Sequence, residues 1–215
     1  MPEKTEEQKP NTIADGLMRR RTIVLEGMID MKSMSNIGMR MIDLQMRSSD
    51  PINLIIDSGG GNLDAALHLC DLMSTVMTAP VHGIALGACG SAATFVMLHC
   101  EKRVGTPYSR FLIHSGTRNE ISLPINQTTS ENLEHLLQDV KKTEDMVLGI
   151  YMSRLTPKKW LDAPADGAEK RAFVQSLLNR GDQRFGKWLS AEEAVEFGMI
   201  EKIVTNKLDI FAETK

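Results

Sequence analysis

INLIIDSGGGNLDAAL, residues 52–67, is the stretch on which the fold turns. Its first six residues, Ile52 to Asp57, form a short and nearly continuous apolar run. Such a run suits a strand buried on both faces of a parallel sheet, because a half-exposed strand would alternate. The glycine turn Ser58–Gly61 follows, and the residues after it read as a helix running to about Val76. VHGIALGACGSAATF (81–95) has the same order: a buried strand, a glycine-rich turn and a helix reaching Cys100. Upstream, TIVLEG (22–27) reads as a strand ending at glycine. Residues 33–48 then place Met34, Ile37, Met41, Ile42 and Leu44 at helical spacing. Downstream, RFLIH (110–114) reads as a further strand. Strands alternating with helices imply right-handed crossover units and a mostly parallel sheet.

After His114 the character changes. Residues 115–129 are polar and loop-like, and Thr128 with Glu131 has the spacing of a capping box. A long helix should follow, with a narrow stripe of Leu133, Leu136, Leu137, Val140, Val147, Ile150, Tyr151 and Leu155 opposite a charged face. Such a helix, leaving an α/β core, predicts an oligomer contact. Residues 157–179 read as a second helical region, with Pro157 suited to a first turn. LSAEEAVEFGMIEKIV (189–204) reads as a capped helix, a glycine stop and a final strand. Residues 1–12 are polar and expected to be disordered. Residues 13–206 should form a single domain, with 207–215 as a tail.

Composition narrows the function classes. With 25 basic and 28 acidic residues the net charge is −3, so a nucleic-acid or anionic-membrane surface is not expected. Arg19–Arg20–Arg21 is the only dense basic cluster and reads as a solvated edge. Cys70, Cys89 and Cys100 are odd in number and lack CxxC or Cys/His metal spacing, which argues against a disulfide framework or zinc site. They point to a reducing compartment, and a cytosolic location is expected. No apolar run approaches a membrane span.

In an open α/β sheet, ligands bind where strands end and helices begin, and both glycine turns lie there. Free backbone N–H groups at a helix start can hold a phosphate or an acyl-transfer oxyanion. Neither turn has the residues of a phosphate loop. Ser91 lies in the second turn among small neighbours, so a substrate backbone could come close. It either caps its helix or acts as a nucleophile. His114 ends its strand on the same rim, and an imidazole in reach of Ser91 could take its proton. His68, His82, His99 and His135 fall within helical or strand patterns. Cys89 reads as a small buried residue rather than a thiol nucleophile. A G-x-S-x-G elbow is excluded by Cys89 and Ala93.

The segments IDSGGGNLDAAL (56–67), LGACGSAATF (86–95), SRFLIH (109–114) and DQRFGKWLSAEEAVEFGMIEKIV (182–204) together resemble ClpP, the proteolytic subunit of the Clp protease. TIADGLMRRRTIVLEG (12–27) is similar to that family's entry into its first strand. The resemblance implies a ClpP/crotonase-like α/β core with a helical handle at about 115–179. It implies a serine endopeptidase with Ser91 as nucleophile, His114 as base and Asp182 as the third member. The backbone N–H groups of Gly60 and Ala92 would hold the oxyanion. Peptides or unfolded chains would be the substrate, with no metal and no cofactor. Stacked heptameric rings, a tetradecamer, would enclose the sites, and an AAA+ unfoldase would be the partner. Gly59 replaces the usual proline, Ala92 the usual methionine, and Gly181 the usual arginine. Surplus chain lies near 157–178, and residues 1–11 have no counterpart of the axial loop. The surplus chain and the missing axial loop favour, as the runner-up, a phage-type ClpP-like peptidase processing a particular protein. A catalytically silent subunit and a crotonase-type acyl-CoA enzyme complete the alternatives.

Overall fold

The computed structural model of the chain describes residues 12–114, 129–161, 165–178 and 186–206. The order is α1 (Ile13–Arg19), β1 (Thr22–Ile29), α2 (Met31–Arg47), β2 (Ile52–Gly61) and α3 (Leu63–Asp71), which a π turn extends to Val76. Then come β3 (Val81–Gly90), α4 (Ala92–His99), β4 (Lys102–Gly105), β5 (Arg110–Ile113) and α5 (Ser130–Arg154). A short 3-10 turn (Lys158–Trp160), α6 (Gly167–Leu178), β6 (Lys187–Leu189), α7 (Ala191–Glu196) and β7 (Lys202–Ile203) complete it.

Strands β1, β2, β3, β4 and β7 lie side by side in that order, all parallel. Among the described strands only β6 runs antiparallel, against β5. This is the parallel-dominated α/β architecture the apolar strand runs predict. Ile52, Leu54 and Ile56 are wholly buried, as are Met34, Met41 and Leu44 of α2 to within a percent. Each such side chain contributes about 1.5–3 kcal/mol by leaving water.

Two local features shape the rim that carries the glycine turns. The β1–β2 register slips between Glu26 and Met28, and the β2–β3 register slips between Ile56 and Ser58. On β3 the slip follows from surplus residues, so Leu86 and Gly87 bulge out and re-aim the strand end. The Asp57 carboxylate holds the bulge by accepting the Ala88 N–H at 2.9 Å. Strand β3 thereby changes neighbours. Its residues 82–85 pair with β4, and its residues 88–90 pair with β5.

Helix ends follow the expected chemistry, with adjustments. Asp30 and Ser33 close a capping box on α2, and Ser190 with Glu193 closes one on α7. Gly198, at φ +71°, makes the predicted stop after α7; a Cβ there would lie 2.0 Å from the Thr156 carbonyl oxygen. The cap of α5 is Thr129, whose side chain accepts from Asn132 N–H, and Thr128 lies outside the described residues. Thr12, expected in the disordered start, caps α1 by accepting from Asp15 N–H.

The arginine run is only partly a solvated edge. Arg19 and Arg20 are exposed, but Arg21 takes a left-handed backbone (φ 51°) and turns inward. Its guanidinium donates to the carbonyls of Leu44, Ser48, Asp50 and Pro51. These oxygens lie at the end of α2 and on the turn into β2, where most carbonyls have no intrahelical donor. A cation there also suits the negative end of the helix dipole. Arg21→Ala should destabilise the chain by about 1–3 kcal/mol in urea unfolding. Arg21→Lys should restore only part, because one ammonium cannot replace a planar fork of donors. An unchanged midpoint for Arg21→Ala would refute the clamp.

Candidate active site

Ser91 joins β3 to α4 with φ 52° and ψ −124°, a conformation that β-carbon sterics disfavour outside glycine. Two backbone bonds hold it there. Its N–H donates to the Leu112 carbonyl at 2.8 Å, and its own carbonyl accepts the Thr94 N–H at 2.9 Å. Although Ser91 occupies the N-cap position of α4, its side chain makes no capping bond. The hydroxyl points instead to His114, with Oγ 2.6 Å from Nε2. A capping serine would spend its oxygen on its own helix; this one does not.

His114 follows directly on β5, whose pairing with β3 brings the imidazole to the serine. The ring is partly buried, and desolvation lowers its pKa below the ordinary 6.5. Burial disfavours the imidazolium, so the neutral form suited to accepting a proton prevails near neutral pH.

The other glycine turn packs against Ser91. Gly60 sits at φ +99°, and a Cβ on it would lie 2.5 Å from the Gly90 carbonyl oxygen and 2.7 Å from Ser91 Cβ. It would also lie 2.9 Å from the Ala92 nitrogen. Glycine is therefore required, and the Gly60 and Ala92 backbones share one small volume beside Ser91. Ala92 opens α4, where an N–H has no carbonyl one turn back to bond. The Gly60 N–H donates to Ser58 Oγ at 3.1 Å, while that hydroxyl donates to the Gly27 carbonyl.

The structure thus brings Ser91, His114, Gly60 and Ala92 together. Asp182 lies outside the described residues. Cys89, the rival nucleophile, is fully buried, its thiol pKa is pushed far up by desolvation, and its sulfur faces the Ala93 carbonyl. All three cysteines are free and buried. Among the described residues no cluster of His, Cys, Asp or Glu could hold a metal ion, and no helix is long and apolar enough to cross a membrane.

Two contributors escaped the sequence reading. Ser58 looks like an ordinary turn serine, yet it is 1% exposed and tethers β2 to β1 beside Gly60. Gly186, within DQRFGKWL, has φ +85°, and a Cβ on it would lie 2.4 Å from His114 Cβ. Its close approach backs the histidine. A glycine one residue ahead of a strand is the only local signal for it.

The family model for Clp protease matches residues 4–163. The chain belongs to the Clp protease family. ATP-dependent Clp protease proteolytic subunit 2 of Treponema denticola is 29% identical, with 96% of each chain covered. The subunit of the same name from Treponema pallidum is 28% identical, covering 90% of this chain and 86% of its own. Proteolytic subunit 1 of Protochlamydia amoebophila is 24% identical, covering 92% and 88%. A Clp protease relative is a peptidase, which sets aside the acyl-CoA reading of the same scaffold. The stretch from Ser58 to His114 lies inside the matched region.

The histidine's environment has a measurable consequence. An imidazole must be neutral to accept a proton, and its pKa is lowered by burial. Peptidase activity should therefore fall as pH drops through that pKa and hold above it. The acid limb of kcat/KM, which reports the free enzyme, should have its midpoint below the ordinary histidine value of about 6.5. A midpoint above that value would contradict the assignment of this limb to a desolvated His114.

Proposed function

We propose that the chain is a serine endopeptidase that cleaves peptides or unfolded proteins, with Ser91 as nucleophile, His114 as general base and Asp182 as the residue orienting the histidine. The observation that carries this reading is the 2.6 Å contact between Ser91 Oγ and His114 Nε2, made on a strained turn. His114 takes the Ser91 proton as Oγ attacks the scissile carbonyl. The resulting oxyanion is held by the Ala92 N–H and by the Gly60 N–H, which exchanges its bond with Ser58 for one to the oxyanion. The amine leaves with the proton from His114, giving an acyl-enzyme. Water, deprotonated by His114, attacks the ester, and Ser91 recovers its proton as the acid product departs. A carboxylate at Asp182 would hold the other imidazole nitrogen in the protonated tautomer. The resemblance and its spacing to Leu189–Ser190–Ala191 support that role. The free thiols support a reducing, cytoplasmic setting.

Assembly into stacked heptameric rings belongs to the same reading, with an AAA+ unfoldase supplying substrate. The relatives are named as proteolytic subunits of an ATP-dependent protease. Helix α5 supports the ring. Its C-terminal half buries Val147, Leu148 and Tyr151, but no described residue from Ser130 to Val140 is buried. Leu133 is 47% and Leu137 55% exposed. Two leucines in water on one helix face are a natural contact for a second copy of the chain.

Ser91→Ala should abolish peptide hydrolysis and fluorophosphonate labelling while leaving folding intact, since alanine fits the same turn. Labelling of the variant equal to wild type, or mapping of the label to Cys89, would overturn the assignment. Leu133→Glu with Leu137→Glu should shift the particle to smaller species in native mass spectrometry. Unchanged assembly would remove this face from the ring contact.

A further inference from the structure

The Ser91 carbonyl and the Ala92 N–H belong to one peptide unit. Whatever binds the carbonyl therefore acts on the donor proposed for the oxyanion. That carbonyl accepts a second bond, from Thr94 Oγ at 2.6 Å. Thr94 Oγ in turn lies 2.7 Å from the Tyr151 hydroxyl. Since the threonine proton is spent on the carbonyl, the tyrosine donates to the threonine. The chain runs Tyr151 O–H to Thr94 O–H to Ser91 C=O.

Threonine bonding back to a carbonyl in its own helix is common. Here the arrangement is more than that. Thr94 and Tyr151 are both 0% exposed, so neither hydroxyl can exchange its partner for bulk water. Tyr151 comes from α5, fifty-seven residues along the chain, and its ring packs on Phe95 at 5.2 Å between centroids. The tyrosine pKa is pushed up by burial, so the hydroxyl stays protonated and able to donate.

We propose that Thr94 and Tyr151 are positioning residues of the oxyanion site: they fix the Ser91–Ala92 peptide plane and polarise it, so that the Ala92 N–H is aimed and strengthened as a donor. Hydrogen bonds in series strengthen one another in a low-dielectric interior. A preorganised donor acts most where charge develops, which is in the transition state. The inference rests on the proposed function of Ser91 and Ala92. It adds that α5, whose other end carries the exposed leucines, is tied to the nucleophile turn by this bond chain.

The test uses the full chain with Thr94→Val, Tyr151→Phe, the double variant and Thr94→Ser, reading Tm, kcat, KM and inhibition by a peptide boronic acid. Thr94→Val should lower kcat about ten-fold, less than the ~10²–10³ of losing an oxyanion donor outright. KM should stay within about two-fold, because only the transition state is affected. Boronate inhibition, which forms a tetrahedral adduct, should weaken by a similar factor. Tyr151→Phe should lower kcat about two- to three-fold, since Thr94 still bonds the carbonyl. Thr94→Ser should restore kcat. The double variant separates catalysis from stability. Thr94→Val strands the Tyr151 hydroxyl, whereas removing both hydroxyls leaves no buried group unpaired. Its Tm should return toward wild type while kcat stays as low as in Thr94→Val. If kcat recovers together with Tm, or if the folded double variant has wild-type kcat, the inference is overturned. Should Thr94→Val fail to fold, the double variant decides alone. Ser91→Ala runs alongside: retained turnover would defeat the proposed function, whereas its loss beside a wild-type double variant would defeat only this inference.

Discussion

The division of β3 between two partners is the constraint on which the site depends. As far as Ala85 the strand is an ordinary member of a parallel sheet, paired with β4. Beyond the bulge it pairs with β5 through Ala88, Cys89 and Gly90. That second pairing fixes Ser91, whose N–H continues the ladder to Leu112, and fixes His114, two residues beyond Leu112 and just past the end of β5. The bulge exists because Asp57 supplies an acceptor for the Ala88 N–H and because Gly87 tolerates φ +84°. A continuous register would send the chain end elsewhere on the rim.

Close packing of backbone on backbone does the rest. Gly60 faces Gly90, Ser91 and Ala92 at distances no side chain could share, and Gly186 does the same against His114. Backbone N–H groups serve an oxyanion well because their direction is set by the chain and not by a rotamer. The cost is local strain, of order 1–3 kcal/mol for a non-glycine residue such as Ser91 in a sparsely populated conformation. The turn is held against that cost by bonds at both ends, from Ser91 N–H to β5 and from α4 to the Ser91 carbonyl.

Helix α5 has two characters along one length. Its second half is a core element, with Tyr151 buried between Thr94 and Phe95 and with Val147 and Leu148 under cover. Its first half is amphipathic without cover. The described part of the region after it, read as surplus chain and as helical, packs on its neighbours. Trp160 stacks edge-on against Phe173, which meets Phe197 beside α7, and Trp160 Nε1 donates to Glu169. That aromatic column fastens α6 to the end of α7.

The strands and most helices were legible because burial on both faces and helical periodicity are local properties of composition. INLIID and VHGIAL could hardly be anything but central parallel strands, and SAEE before an apolar run carries its capping box on its face. Ser91 and His114 were legible as rim residues, and the resemblance to ClpP selected them among several serines and histidines. The same resemblance named Asp182, on residues outside the described part of the chain. Arg21, Ser58, Thr94, Tyr151 and Gly186 were not legible. Arg21 looked like a surface charge, Tyr151 like one apolar position in a stripe, and Thr94 like any small helix residue. Each owes its role to a partner twenty-three to seventy-two residues away: a carbonyl of another element, a hydroxyl across a helix pair, a histidine at the end of a neighbouring strand. Local sequence sets which segments are strands and which are helices, because φ, ψ and burial period are decided within a few residues. Tertiary structure alone decides which hydroxyl meets which carbonyl, because a hydrogen bond reaches only about 3 Å and the chain must fold before two such groups come that close.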